Sequence, residues 1–151
     1  MLSATTGYAL RTLVCLARAS EGVSLPGRQI AELTAVPANY LSKMLLVLRN
    51  SGLVTASRGI HGGYQLRPEV LNLPLIRIVE IFEGPRSRPA CVLNQDSPCS
   101  DDSPCPAHRA WSAVRDAYTQ FLEKTTLADI SQTPLRMTRP LKEVFDPGEQ
   151  K

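Results

Sequence analysis

A mainly α-helical chain with a small β-hairpin wing is what this sequence of 151 residues predicts: a winged helix-turn-helix extended by a long dimerisation helix. Three observations predict it. Two short helical segments meet across a tight link at residues 34–36, and a glycine-rich turn at residues 59–63 then separates two strand-like runs. Beyond them an apolar stripe at helical spacing runs from Trp111 to Leu122.

The first helix starts near Thr5 or Thr6 and runs to about Ala19, because Ala9, Leu10, Leu13, Val14, Leu16 and Ala17 recur on one face. Cys15 lies in this helix and reads as a small buried hydrophobe rather than a ligand. Ser24 precedes Pro26, a residue that a first helical turn tolerates, and Arg28, Gln29, Ile30, Ala31, Glu32 and Leu33 follow as a short second helix. The third helix opens at Pro37, sets Leu41, Met44, Leu45 and Leu48 on one face, and stops at Gly52 after Asn50 and Ser51. Its other face holds Asn39, Ser42, Lys43, Val47 and Arg49. In a helix-turn-helix the second helix enters the major groove with its early residues on base edges. Ala38, Asn39, Tyr40, Ser42 and Lys43 are those residues here.

A polar face on any small helical hairpin reads the same way, and the next segment decides between the two. Leu53, Val54, Thr55, Ala56 and Ser57 alternate and are β-branched in part, three glycines fall at residues 59–63, and Tyr64, Gln65 and Leu66 resume a strand. A hairpin directly after a recognition helix is the order of a winged helix. Arg58 and His61 stand on the wing, where a cation reaches a phosphate or the minor groove, although His61 also reads as a solvated turn residue. With Arg28 on the second helix and Ser57 at the shoulder of the hairpin, these residues form the expected DNA-binding set.

Residues 68–73 connect the wing to a helix through Leu75, Ile76, Ile78, Val79, Ile81 and Phe82. That helix is apolar around much of its circumference, ends at Gly84, and is expected to be buried. From about Ala107 a longer helix presents Trp111, Val114, Tyr118, Phe121 and Leu122. A small winged domain has little room to bury that stripe, so a second copy of the chain is expected to cover it, with packing inside the monomer as the alternative. The organisation expected is a DNA-binding domain with its connecting helix at residues 1–84, a cysteine-rich loop at 85–106, the dimerisation helix and end segment at 107–131, and a fraying tail at 132–151 rich in proline and charge.

Composition narrows the classes further. The chain is 43% hydrophobic and 21% charged, as a soluble globular chain is, and its net charge of +3 permits a polyanionic partner without requiring one. No apolar run approaches membrane-spanning length, and Met1, Leu2, Ser3 and Ala4 lack the basic start of a signal peptide, so a cytoplasmic location is expected. In that reducing compartment four cysteines point to ligation or redox chemistry rather than to a disulfide framework. The sequence shows no phosphate-cradling loop and no nucleophile paired with a base, and an electron carrier has no use for a recognition helix and wing. A non-enzymatic regulator is expected.

Three of the cysteines and a histidine are spaced Cys91-x7-Cys99-x5-Cys105-x2-His108, in a segment with almost nothing able to build a core. Thiolates and imidazole are the ligands that soft and borderline metals select. Zinc sites usually pair their ligands closely, and only Cys105 and His108 are close here, so the wider gaps favour an iron-sulfur cluster. The alternatives are structural zinc, in a winged-helix regulator or in an interaction module that binds protein instead of DNA, and a metal-free thiol switch.

The segment Tyr40-Leu41-Ser42-Lys43, the stretch from Leu48 to Val54 and the wing from Arg58 to Leu66 resemble the Rrf-two (Rrf2) family of bacterial winged-helix regulators. The opening Thr6-Gly7-Tyr8-Ala9-Leu10-Arg11 and the late Thr126-Leu127-Ala128-Asp129-Ile130 are similar as well. The family's iron-sulfur members include the IscR, NsrR and RirA types. The resemblance implies a homodimer on double-stranded DNA, expected to be a repressor, with a cluster of two-iron or four-iron type whose state controls promoter occupancy. It places Cys91, Cys99 and Cys105 on the three cluster cysteines and His108 on the histidine ligand of the IscR type. The spacing is closer to the RirA type. Gly7 stands where the NsrR type has its aspartate ligand, which leaves His108 as the fourth protein ligand, with water or a small molecule as the other possibilities.

Overall fold

The computed structural model describes residues 2–20, 22–60, 62–84, 93 and 100–132. Helix α1 spans Ala4–Ala17, α2 Gly27–Thr34 and α3 Ala38–Asn50. Strands β1 (Val54–Ser57) and β2 (Gly63–Leu66) follow, then a 3-10 turn at Pro68–Asn72, α4 at Leu75–Glu83, α5 at His108–Lys124 and α6 at Leu127–Ser131. Ser3 starts α1 from an extended conformation, its hydroxyl accepting the Thr6 N–H. The helix stops at Ala17, short of the expected Ala19, because a turn closed by the Val23 N–H on the Ser20 carbonyl and opened by Gly22 at φ +78° takes over.

The helix-turn-helix link is set by Thr34 and Ala35. The fully buried Thr34 hydroxyl donates back to the Ile30 carbonyl at 2.6 Å and accepts the Val36 N–H at 3.4 Å, while Ala35 takes the left-handed conformation at φ +52°. Helix α3 then turns Leu41, Met44, Leu45 and Leu48 inward, and Gly52 at φ +74° releases the chain into β1. The two strands pair antiparallel with Val54 opposite Leu66 and Ser57 opposite Gly63.

A single hydrophobic cluster joins these elements. Leu13 and Leu16 of α1, Ile30 of α2, Leu45 and Leu48 of α3, Ile78 and Val79 of α4, Leu122 of α5 and Leu127 of α6 all belong to it. Burying a side chain of this size stabilises by about 1.5–3 kcal/mol each before the entropy of ordering it. The expectation that α4 is buried holds for Leu75, Ile78 and Val79.

The chain after α5 closes back on the start of α4. The Leu75 N–H donates to the Thr125 carbonyl at 2.9 Å and the Leu127 N–H to the Leu73 carbonyl at 3.1 Å. Helix α6 was not anticipated, being too short to show a period, yet it carries a complete capping box between Thr126 and Asp129. The Thr126 backbone N–H and hydroxyl both donate to the Asp129 carboxylate and hold it below the usual aspartate range. Among the described residues no helix is long and apolar enough to cross a membrane.

Candidate DNA-binding face and cysteine turn

Inward packing of one side of α3 leaves the other side to solvent. Ala38, Asn39, Tyr40, Ser42 and Lys43 are all exposed, and the Ser42 hydroxyl donates back to the Ala38 carbonyl at 3.0 Å. The Tyr40 ring is held from behind by Tyr8 of α1, with ring centroids 6.2 Å apart and planes tilted by 55°. The Arg11 guanidinium lies 5.9 Å from the far ring, Tyr8. Tyr8 entered the sequence reading only as part of the family resemblance; its support of Tyr40 needs the crossing of α1 and α3, which no local pattern reveals.

The wing is fixed at its base. Leu25, ahead of α2, exchanges two 2.9 Å backbone hydrogen bonds with Tyr64 and so lies beside β2 like a third strand. That contact explains Gly63, where an added Cβ would stand 2.6 Å from the Leu25 carbonyl. Ser57 and Arg58 are exposed, and neither Lys43 nor Arg58 forms an ion pair among the described residues. Arg28 differs: its guanidinium pairs with Glu32 at 3.1 Å along the exposed face of α2, a contact worth about 0.3–0.5 kcal/mol. His61 lies outside the described residues. Its neighbour Ile60 is 99% exposed at the tip, an apolar side chain that the charge-based reading of the wing passed over.

The cysteine segment is described in part. Cys91 and Cys99 lie outside the described residues, whereas Cys105 and His108 stand on the turn that starts α5, tied by the His108 N–H to the Cys105 carbonyl at 2.9 Å. The His108 side chain is only 11% exposed, and its Nε2 meets the Asp101 Oδ1 at 2.8 Å. An ionised carboxylate only accepts, so this contact puts the proton of the neutral ring on Nε2 and the lone pair on Nδ1. Asp101 was not among the expected site residues. Its place in the sequence, seven residues before His108, gives no sign of the contact. Among the described residues no three ligand-type side chains come together, since two of the expected four donors fall outside them. Cys15 is of another kind: it is half-buried in α1 rather than buried, burial pushes its thiol up and Arg18 offsets this only in part, which disfavours the thiolate.

The expected dimer stripe divides along α5. Leu122 is 1% exposed and packed into the core, and Tyr118 packs against that core from the side. Leu122 is thus covered by its own chain, which removes it from any surface a partner can touch. Trp111 is half-buried, while Val114 and Phe121 stay 54% and 51% exposed.

Residues 2–133 match the family described as "Rrf2: Iron-dependent Transcriptional regulator". The chain belongs to the Rrf2 family. It is 32% identical over 124 residues to the transcriptional regulator CymR of Bacillus subtilis, covering 82% of this chain and 84% of that one. The solved structure of that protein, described as the global cysteine regulator, superposes with a TM-score of 0.68 at 31% identity over 87% of this chain and 95% of the other. The IscR structure from T. potens superposes with a TM-score of 0.64 at 25% identity, over 86% and 85%. These relatives bear out the winged-helix fold and the reading of a transcriptional regulator rather than an enzyme. They also divide, one being described as a regulator of cysteine, so membership in the Rrf2 family does not by itself assign a cluster.

Proposed function

We propose that this Rrf2 protein is a homodimeric repressor whose hold on a double-stranded operator is set by an iron-sulfur cluster bound through Cys91, Cys99, Cys105 and His108. One observation carries the reading. Cys105 and His108 are tied together on the turn that leads into α5, with His108 its first residue, and α5 is the helix that packs on α4 and displays Val114 and Phe121, so ligation there acts at the start of the proposed dimer helix. Both side chains are partly accessible, and a set of three thiolates and an imidazole suits a soft metal centre. The iron dependence named in the family description agrees with it. Such a cluster supplies a redox-active and chemically labile centre. The protein's own part is to orient the ligands, with Asp101 fixing the His108 ring.

On the DNA side, Asn39, Tyr40 and Ser42 meet base edges, Ala38 lies close against them, and Lys43, Arg58 and Arg28 meet phosphates, with Ser57 and His61 on the wing. A coupling of about 1–3 kcal/mol between the cysteine segment and these residues changes affinity about 5- to 150-fold, enough for a transcriptional switch.

The test begins with protein purified without oxygen. A visible chromophore with matching iron and sulfide, lost in Cys91→Ala, Cys99→Ala and Cys105→Ala but kept in Cys15→Ala, is the expected result, and His108→Ala is expected to weaken the chromophore. Colourless protein carrying stoichiometric zinc that iron and sulfide cannot replace would instead establish a zinc-stabilised regulator. DNA binding is tested separately: Lys43→Ala and Arg58→Ala are each expected to weaken operator binding and to lower the salt slope by about 1. Unchanged binding in both defeats the assignment of helix and wing.

A further inference from the structure

Glu83 is the last residue of α4, and the segment that carries the cysteines begins immediately after it. Its Oε1 accepts two hydrogen bonds from the start of α1, one from the Ser3 backbone N–H and one from the Thr6 hydroxyl, both at 2.7 Å. Ser3 is the residue that caps α1, and Thr6 is fully buried. A carboxylate at that position also meets the positive end of the α1 dipole. Burial alone would raise the Glu83 carboxyl, but these hydrogen bonds outweigh it and hold it below the usual glutamate range. The Glu83 charge is also felt at Tyr118 of α5, whose hydroxyl is pushed up by burial first and by that charge second. The carboxylate thus joins the end of α4 to the start of α1.

The same first turns of α1 reach the recognition helix. Tyr8 leans on Tyr40. Phe82, the neighbour of Glu83, lines with Tyr8, Tyr40 and Lys43 a cavity of about 270 Å³ between α1, α3 and α4. From the edge of the cysteine segment to the exposed face of α3 the contacts are therefore continuous within one chain. We propose that Glu83 is the positioning residue that couples the state of the cysteine segment to the recognition helix, by pinning the first turn of α1 from which Tyr8 holds Tyr40. This rests on the cluster-controlled reading above, and no group in the latch ligates metal.

The readout is the ratio of operator affinities between protein reconstituted with iron and sulfide and the same protein stripped by a chelator. In the unaltered full-length chain the ratio is expected to lie in the range of about 5- to 150-fold. Glu83→Ala is expected to bring it close to one while the chromophore and the dimer persist. Glu83→Gln keeps an acceptor oxygen and is expected to restore most of it. Thr6→Val removes only one donor at nearly constant size, and should act alone in the same direction and non-additively with Glu83→Ala. If Glu83→Ala does not fold, Thr6→Val decides the matter by itself. A ratio that stays at the unaltered value in Glu83→Ala, or in Thr6→Val if that variant stands alone, overturns the latch while leaving cluster control intact. A ratio of one in the unaltered chain overturns both.

Discussion

Helices α1 and α5 carry apolar stripes of similar spacing, yet they end in different surroundings. In α1 the stripe of Ala9, Leu13, Val14 and Leu16 is buried and is covered from several sides by α2, α3, α4, β2 and α6. In α5 only Leu122 is buried, and Val114 and Phe121 remain open to solvent. The neighbours differ. Helix α1 lies among α2, α3, α4, β2 and α6, whereas α5 lies along α4 and ends at the strand-like closure at Thr125. A helix with an apolar face is a request for cover, and only the neighbours decide whether the chain itself supplies it.

The contrast is broken most forcefully in the core. Leu13→Ala and Leu122→Ala are each expected to cost about 2–5 kcal/mol in urea unfolding, since both leave a cavity where nothing can collapse. A Leu122→Ala effect near zero would mean that α5 does not dock as described. The exposed part of α5 behaves oppositely: Val114→Glu together with Phe121→Glu is expected to leave the fold intact and yield monomers on sizing, and an intact dimer places the interface elsewhere. Thr126→Ala, which removes the cap of α6 and so loosens the closure behind α5, is expected to cost about 0.5–2 kcal/mol. The smallest effect concerns acid. Because the folded state lowers the Glu83 carboxyl below its ordinary value of 4.5, its contribution is fully present above that value and fades as pH falls through the lowered folded value. The stability difference between the natural chain and Glu83→Gln, taken from urea midpoints, should therefore shrink in that acid window and be constant at neutral pH.

Much of the site was legible in the residues. Helices α2 and α3, the tight link between them and the glycine wing follow from periodicity and turn chemistry, which act over a few neighbouring residues. So does the exposure of Asn39, Tyr40, Ser42 and Lys43, which lie opposite Leu41, Met44, Leu45 and Leu48 on the same helix. Helix α6 was missed because five residues show no period, although Thr126 and Asp129, three residues apart, are a local capping signal that could have marked its start. Leu122 was assigned outward because it shares a stripe with Phe121, its neighbour in the chain; a helix turns about 100° between the two, enough for one to enter the core and the other to leave it.

The sequence by itself determined the fold class and the exposed face of α3, since each depends on residue type and spacing along the chain, and the same spacing is the ground on which Cys91, Cys99, Cys105 and His108 are proposed as a donor set. Tertiary structure alone decided that Tyr8 supports Tyr40, that Asp101 orients His108, that Glu83 joins α4 to the start of α1, and that α5 divides into a buried and an open part. Ser3 and Thr6 stand some eighty residues from Glu83, with separations of 80 and 77. Hydrogen bonds and ring contacts act over a few ångströms in space, so partners that far apart in the chain become neighbours only when the core between them has formed.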